Sequence, residues 1–160
     1  MVDIAPFTAE QTESAFALIL PIQQLEFGIP ITRADQPDLE QIPMSYQVNA
    51  GNFWVALEDS RVVGTLALMD LGGGRGTLRK MFVHSEFRGV PHRTGQRLLE
   101  TLLEWSRAHS FREILLGTTE VMKGAHRFYE KNGFVSLEAS ELPPNFPRSA
   151  VDTVFYRLTL

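Results

Sequence analysis

The sequence predicts an α+β fold (an α/β arrangement of three layers), with six to seven strands in a mixed sheet and about four helices packed on it. Three observations predict it. Residues 52–83 alternate apolar and polar positions through two turn signals, as an antiparallel meander does. Two amphipathic helical stretches follow, over 94–109 and 122–131, with a short apolar strand between them. Two further strand-like stretches close the chain, so hairpin and crossover connections must share one sheet.

Size and composition fit that class. At 160 residues the chain reads as a single domain, 1–160, able to bury roughly 70% of its unfolded surface. Apolar residues make up 44% and charged residues 21%, an ordinary balance for a globular protein. The chain has no cysteine, which excludes disulfides, thiolate metal sites and a cysteine nucleophile; no metal site is expected. The start, Met-Val-Asp, lacks the basic segment and apolar run of a secretory leader. No stretch approaches the length of apolar chain needed to span a bilayer. The expected location is cytoplasmic, with no membrane partner.

The net charge of −4 hides an asymmetry: residues 1–78 hold ten acidic and three basic side chains, whereas 79–97 hold five basic and one acidic. A basic island in an acidic chain fits a local anion site. A nucleic-acid surface needs a broad basic face, so no nucleic-acid partner is expected. Plain solvated surface is the alternative reading of so short a stretch.

Each element has its own signal. Val2-Asp3-Ile4-Ala5 alternates weakly as a first strand before Pro6. Thr8 and Gln11 have capping-box spacing, and Ala15, Phe16, Leu18, Ile19, Ile22 and Leu25 sketch a helix that Pro21 should kink or end. Pro37 suits the first position of a brief helix that stops before Pro43. Residues 52–58 and 62–70 are strands joined by Asp59-Ser60, and 77–83 is a third. The glycine run 72–76 is a hairpin loop: no Lys-Ser/Thr follows it, and a strand rather than a helix comes next. Helix 94–109 gathers Leu98, Leu99, Leu102, Leu103 and Ser106 on one face. The run 113–117 is nearly all apolar, as a strand covered on both faces is. Helix 122–131 ends at Asn132-Gly133, and strands 134–137 and 153–160 flank a stiff proline-bearing loop. Trp54 and Trp105 read as core.

The chain is organised around residues 79–99: an apolar strand, a basic turn containing glycine, then the first turns of an amphipathic helix. A helix start presents unbonded N–H groups and the positive end of its dipole, so anions bind there. The turn is read as holding the diphosphate of a nucleotide-bearing cofactor.

Two motifs carry a resemblance. One is Leu78-Arg-Lys-Met-Phe-Val83 running into Phe87-Arg-Gly and Thr94-Gly-Gln-Arg-Leu-Leu99; the other is Ala125-His-Arg-Phe-Tyr-Glu-Lys-Asn-Gly-Phe134. In this order, separated by a helix and a strand, they resemble the GNAT-type N-acetyltransferase superfamily, which uses acetyl-coenzyme A and no metal. The resemblance implies a GNAT-like, mostly antiparallel twisted sheet, splayed between its fourth and fifth strands. Pantetheine would insert at the splay along Met81, Phe82 and Val83, bonding the main chain of Met81 and Val83, and a nearby amide would stabilise the acetyl oxygen. The diphosphate would lie against Arg88, Gly89, Arg93, Thr94, Gly95 and Gln96. The family's loop usually reads Arg/Gln-x-x-Gly-x-Gly/Ala. Here Arg93 takes the first glycine position and Val90 the Arg/Gln position. Arg88-Gly89 look displaced by a two-residue insertion, which predicts a bulged loop. Met122 stands where relatives often have asparagine.

The resemblance also assigns chemistry. Tyr129 would protonate the departing coenzyme A thiolate as general acid; the alternative is a packing tyrosine at a helix end. Glu120 is the preferred candidate base, with His84 and water as other routes. Asp35 and Asp38, with Glu40, fall in the segment that lines the acceptor pocket in relatives, where an acidic wall would attract an amine cation. Phe146 and Arg148, in the loop 143–149, would cover the same pocket. The expected reaction is transfer of an acetyl group from acetyl-coenzyme A to a primary amine of a small molecule, by direct attack in a ternary complex. The alternatives are a protein or peptide N-acetyltransferase and a non-catalytic acyl-CoA-binding sensor. The final strand, 153–160, could meet a second copy across an exposed edge, giving a homodimer.

Overall fold

The computed structural model describes residues 1–160. Strands β1 (Asp3–Pro6), β2 (Asn52–Glu58), β3 (Arg61–Gly72), β4 (Arg75–Val83), β5 (Glu113–Thr118), β6 (Val135–Leu137) and β7 (Val154–Thr159) form one seven-stranded sheet in the order β1-β2-β3-β4-β5-β7-β6. Only β4 and β5 run parallel; the other pairs are antiparallel. Five helices complete the chain: α1 (Thr12–Pro21), α2 (Pro37–Glu40), α3 (Ile42–Ser45), α4 (Thr94–Ala108) and α5 (Lys123–Lys131). No helix is long and apolar enough to cross a membrane.

The sheet is covered on both faces, which makes the expected three layers. On one, Leu98, Leu99 and Leu102 of α4 pack with Trp54, Leu66, Leu68, Ile114 and Leu116. On the other, Phe16 and Ile19 of α1, with Leu39 and Ile42, cover Phe53, Val55 and Ala67. β5 is buried along its middle, as its continuous apolar run requires.

The β2–β3 turn holds Asp59 and Ser60 at φ of 49° and 69°, the positive values that a tight two-residue hairpin needs. The glycine loop is shorter than its sequence suggests, because β3 runs to Gly72 and β4 begins at Arg75. Glycines carry no side-chain alternation from which a strand end could be read. Pro21 does end α1, since its ring nitrogen cannot return a hydrogen bond to the preceding turn. The chain then widens into a π-turn, Ile22–Glu26, closed by the Phe27 N–H donating to the Ile22 carbonyl at 3.1 Å. α2 stops at Glu40, before Pro43 as expected, and Pro43 sits in the first turn of a further helix, α3, which the pattern did not predict. The capping box of Thr8 and Gln11 is present, with the Thr8 N–H donating to Gln11 Oε1 at 2.9 Å. At the end of α5, Gly133 takes φ of 92° and the Phe134 N–H reaches back to the Tyr129 carbonyl at 3.1 Å, closing the helix as expected.

Strand order corrects one expectation. β7 lies between β5 and β6, so the sheet's free edges are β1 and β6. The final strand is thus not an edge strand: β6 covers its Phe155–Arg157. Two adjacent antiparallel strands look alike in sequence whichever of them lies outermost.

Two irregularities in β4 position the site. Three register pairs join it to β5, ending at Thr77–Leu115; beyond them the strands part. Further along, Lys80 and Met81 together oppose the single residue Leu66 on β3. Lys80 takes φ of 54°, and Thr65 Oγ1 donates to its carbonyl at 2.7 Å. Such a bulge bends its strand and re-aims a side chain.

Candidate active site

The parting of β4 and β5 opens a cleft of about 770 Å³. Met81, Phe82 and Val83 form one wall, α5 supplies Ala125, Phe128 and Tyr129, and the π-turn supplies Ile22, Glu26 and Phe27. The start of α4 closes one end with Arg93, Gly95 and Gln96. Helix and strand approach closely at Gly95, where a Cβ would stand 3.3 Å from Met81 Cε. The middle of the cleft is therefore apolar and narrow, and one end is polar.

That polar end is an open helix start. The Arg93 N–H is satisfied by the Gly89 carbonyl at 2.7 Å, and the Arg97 N–H donates to the Arg93 carbonyl at 2.9 Å. No side chain caps the helix. The amides of Gly95 and Gln96, between those two bonds, have no acceptor in the protein, and both residues line the cleft. A fifteen-residue helix adds its dipole there. Thr94 is fully buried and lines neither cavity. Arg93 sits in the left-handed region at φ 50°, which turns the chain from the loop into the helix.

Arg88 plays a different part from the one its motif suggests. Its guanidinium donates to both Glu26 oxygens, at 2.6 and 2.7 Å, and to the Val83 carbonyl at 2.7 Å. It thereby clamps the loop to the π-turn and holds the Glu26 carboxyl below its ordinary range. The neighbouring His84 N–H bonds the Val63 carbonyl across the sheet at 2.9 Å, so by strand alternation the Val83 N–H faces the splay. Gly89, exposed in the loop, also lines the cleft.

Tyr129 is 6% exposed and packs on Phe128, Phe134 and Tyr156. Its hydroxyl, on the cleft, finds only Met81 Sδ, at 3.9 Å. Burial raises its pKa, so the phenol keeps its proton through neutral and mildly alkaline pH.

A second cavity, of about 130 Å³, shares Phe82 and Met122 with the cleft. Its charged walls are Arg79, Lys80 and Asp152. Successive strand side chains ordinarily point to opposite faces; the bulge brings the adjacent Arg79 and Lys80 to one cavity. Lys80 Nζ donates to Gln36 Oε1 at 2.9 Å and lies 3.6 Å from Asp38. Burial depresses its pKa and Arg79 adds to the effect, while Asp38 opposes it. Gln36 in turn exchanges two 2.9 Å hydrogen bonds with Gln23 of the π-turn. Asp152 accepts the Ser149 N–H at 3.0 Å. Burial raises its carboxyl pKa, against the pull of Ser149, Arg79, Arg148 and Lys80.

Several expected site residues lie elsewhere. Glu120 is exposed on the turn after β5 and lines neither cavity. His84 Nδ1 accepts the Glu86 N–H at 3.2 Å, a local cap. Asp35 accepts the N–H and hydroxyl of Thr32, at 3.0 and 2.9 Å, and so closes a turn. Asp38 accepts from the Tyr46 hydroxyl and serves as counter-ion to the buried Lys80, as a buried ammonium requires. Neither aspartate lines the cleft or the smaller cavity. Phe146 packs edge-on against Phe155, at 6.1 Å between ring centres, and Arg148 lies over the same ring. The sequence reading missed Arg79, Lys80 and Asp152. Two adjacent charges interrupting an apolar strand were the available signal for the first two; Asp152 had none.

Fold and site together define a long cleft with free helix-start amides at one end, beside a smaller charged cavity that shares Phe82 and Met122 with it. Residues 49–136 match the family model described as an acetyltransferase (GNAT) domain, and the chain belongs to that family. It is similar to a GNAT-family acetyltransferase structure from Staphylococcus aureus Mu50, at 34% identity and a TM-score of 0.95, over 99% of both chains. It shares its fold with the PaiA N-acetyltransferase of Thermoplasma acidophilum, crystallised with coenzyme A, at 14% identity and a TM-score of 0.77, over 100% and 99% of the two chains. Among curated sequences it is 32% identical over 135 residues to an N-acetylaspartate synthetase of Xenopus tropicalis, covering 79% of this chain and 46% of that protein. The chain spans about half the length of the curated relatives it matches.

Proposed function

We propose that this chain transfers an acetyl group from acetyl-coenzyme A to the primary amine of a small molecule, by direct attack with both ligands bound. The observation that carries the reading is the junction at Phe82 and Met122, where a cleft with free helix-start amides meets a small charged cavity. The residues present suit coenzyme A: unbonded Gly95 and Gln96 amides for a diphosphate, apolar walls for pantetheine, and a Gly95 whose Cβ would crowd Met81. The Thermoplasma neighbour with coenzyme A and the Xenopus relative, named for N-acetylaspartate, are consistent with this choice.

Acetyl-coenzyme A, when bound, supplies the acetyl group as an activated thioester. Asp152 takes one proton from the acceptor's ammonium group and so frees the nitrogen lone pair. Its raised pKa brings it closer to that task than an ordinary aspartate. As the C–N bond forms and the C–S bond breaks, Tyr129 gives its phenolic proton to the leaving sulfur. The proton shed by the nitrogen restores the phenol, and the one on Asp152 returns to solvent. The products are an amide and a free thiol.

Calorimetry with acetyl-coenzyme A, followed by a thiol-release assay over an amine panel, tests this reading. It expects saturable cofactor binding and turnover with at least one small amine. Binding without turnover would instead favour an acyl-CoA sensor, and turnover restricted to peptides would favour a protein acetyltransferase.

A further inference from the structure

Arg79 is half-buried on the wall of the smaller cavity and makes no ion pair or hydrogen bond with the protein. Its neighbour Lys80 is satisfied by Asp38 and Gln36. Asp152, on the same cavity, spends one oxygen on the Ser149 amide and pairs with no cation. A guanidinium held partly out of water without a partner is costly, and its planar fork of donors matches a carboxylate. The bulge at Lys80, with a non-glycine residue in the left-handed region, is what aims Arg79 here.

We propose that the acceptor is a small amino acid whose carboxylate docks on Arg79 while its ammonium group faces Asp152. The inference rests on the acetyl-transfer reading for the amine's fate, but the carboxylate site itself does not depend on turnover. Cationic and anionic side chains lining one cavity suit a zwitterion. A diamine would place its second cation against Arg79 and Lys80, a repulsive contact that adds to specificity. The volume, about 130 Å³, is on the scale of a cavity that holds a benzene-sized molecule, which suits a free amino acid better than a peptide. Phe82 and Met122, which line both cavities, are the side chains between the amine and the splay.

Matched pairs test it: L-alanine, L-phenylalanine and L-aspartate against ethylamine, phenethylamine and putrescine. Thiol release is measured for the wild type, Arg79→Gln and Arg79→Lys. In parallel, binding of the same amino acids to the coenzyme A-loaded protein is measured by calorimetry. At least one amino acid should exceed every plain amine in kcat/KM, and Arg79→Gln should remove most of that advantage, on the order of 10²-fold as for a severed buried charge pair. Arg79→Lys should restore part of it, and coenzyme A affinity and melting temperature should stay at wild-type values in both variants. Arg79-dependent amino-acid binding without turnover would support the carboxylate site while refuting the transfer reading. Turnover of plain amines or putrescine as fast as of amino acids would overturn the inference and leave the transfer reading standing. Amino-acid binding or turnover unaffected by Arg79→Gln, or no amino-acid binding at all, would also overturn it.

Discussion

Tyr129→Phe separates chemistry from folding. The hydroxyl's only protein contact is the Met81 sulfur at 3.9 Å. Its removal forfeits one weak hydrogen bond, under about 1 kcal/mol of stability, or a few degrees in Tm for a domain of this size. The ring contacts with Phe134 and Tyr156 remain. Loss of a positioned general acid costs about 10²–10⁴-fold, equivalent to about 2.7–5.4 kcal/mol of barrier. The expected damage to the rate therefore exceeds the damage to the fold several times over. Single-turnover thiol release with a competent amine, beside a thermal melt and coenzyme A calorimetry, reads both quantities. The variant should fold and bind as the wild type does while its chemical step slows by that factor. Because burial raises the Tyr129 pKa above that of an ordinary phenol, the wild type should show no loss of protonated acid up to about pH 10. An unchanged single-turnover rate would refute the assignment.

Three further outcomes follow from the same geometry. Gly95→Val places a branched side chain where a Cβ already lies 3.3 Å from Met81 and 3.8 Å from Val83; coenzyme A affinity by calorimetry should fall about tenfold or more, some 1.4 kcal/mol, while the melt barely moves. Glu26→Gln removes the Arg88 clamp, a half-exposed pair worth about 0.2–1 kcal/mol. The Glu26 pKa is lowered in the folded state, so this stability is present above the unfolded value of about 4.3 and lost as pH falls through the folded value; urea melts across that range should show a shallower acid loss in the variant. Asp152→Asn should lower kcat/KM without lowering the melt at neutral pH. The raised folded pKa of Asp152 means that its contribution is present below the unfolded value of about 3.9 and lost as pH rises through the folded one, and the asparagine amide oxygen can still accept the Ser149 N–H.

Regular periodicity made most of the fold legible in the sequence. The 3.6-residue stripe of α4, the Asp59-Ser60 turn and the Asn132-Gly133 stop are local signals, and each sits where it was expected. The strand–turn–helix anion site was legible for the same reason: the backbone amides of Gly95 and Gln96 follow from where a helix begins. What failed was non-local. Asp38 reads as part of an acidic pocket wall until Lys80, forty-two positions later in the chain, is seen to need it. Arg88 reads as a phosphate ligand until the π-turn after Pro21 brings Glu26 across to it. The smaller cavity depends on a bulge, and a bulge leaves no mark on alternation except the two adjacent charges that it turns the same way. Asp152 arrives from a loop whose course no pattern constrains.

A crystal structure of the complex tests whether the splay between β4 and β5 holds coenzyme A by the start of α4. Pantetheine should run along Val83 between the parted strands, with diphosphate oxygens about 2.7–3.2 Å from the amide nitrogens of Gly95 and Gln96. A diphosphate held only by surface side chains such as Arg93 and Lys131, or a cofactor lying outside the splay, would contradict it.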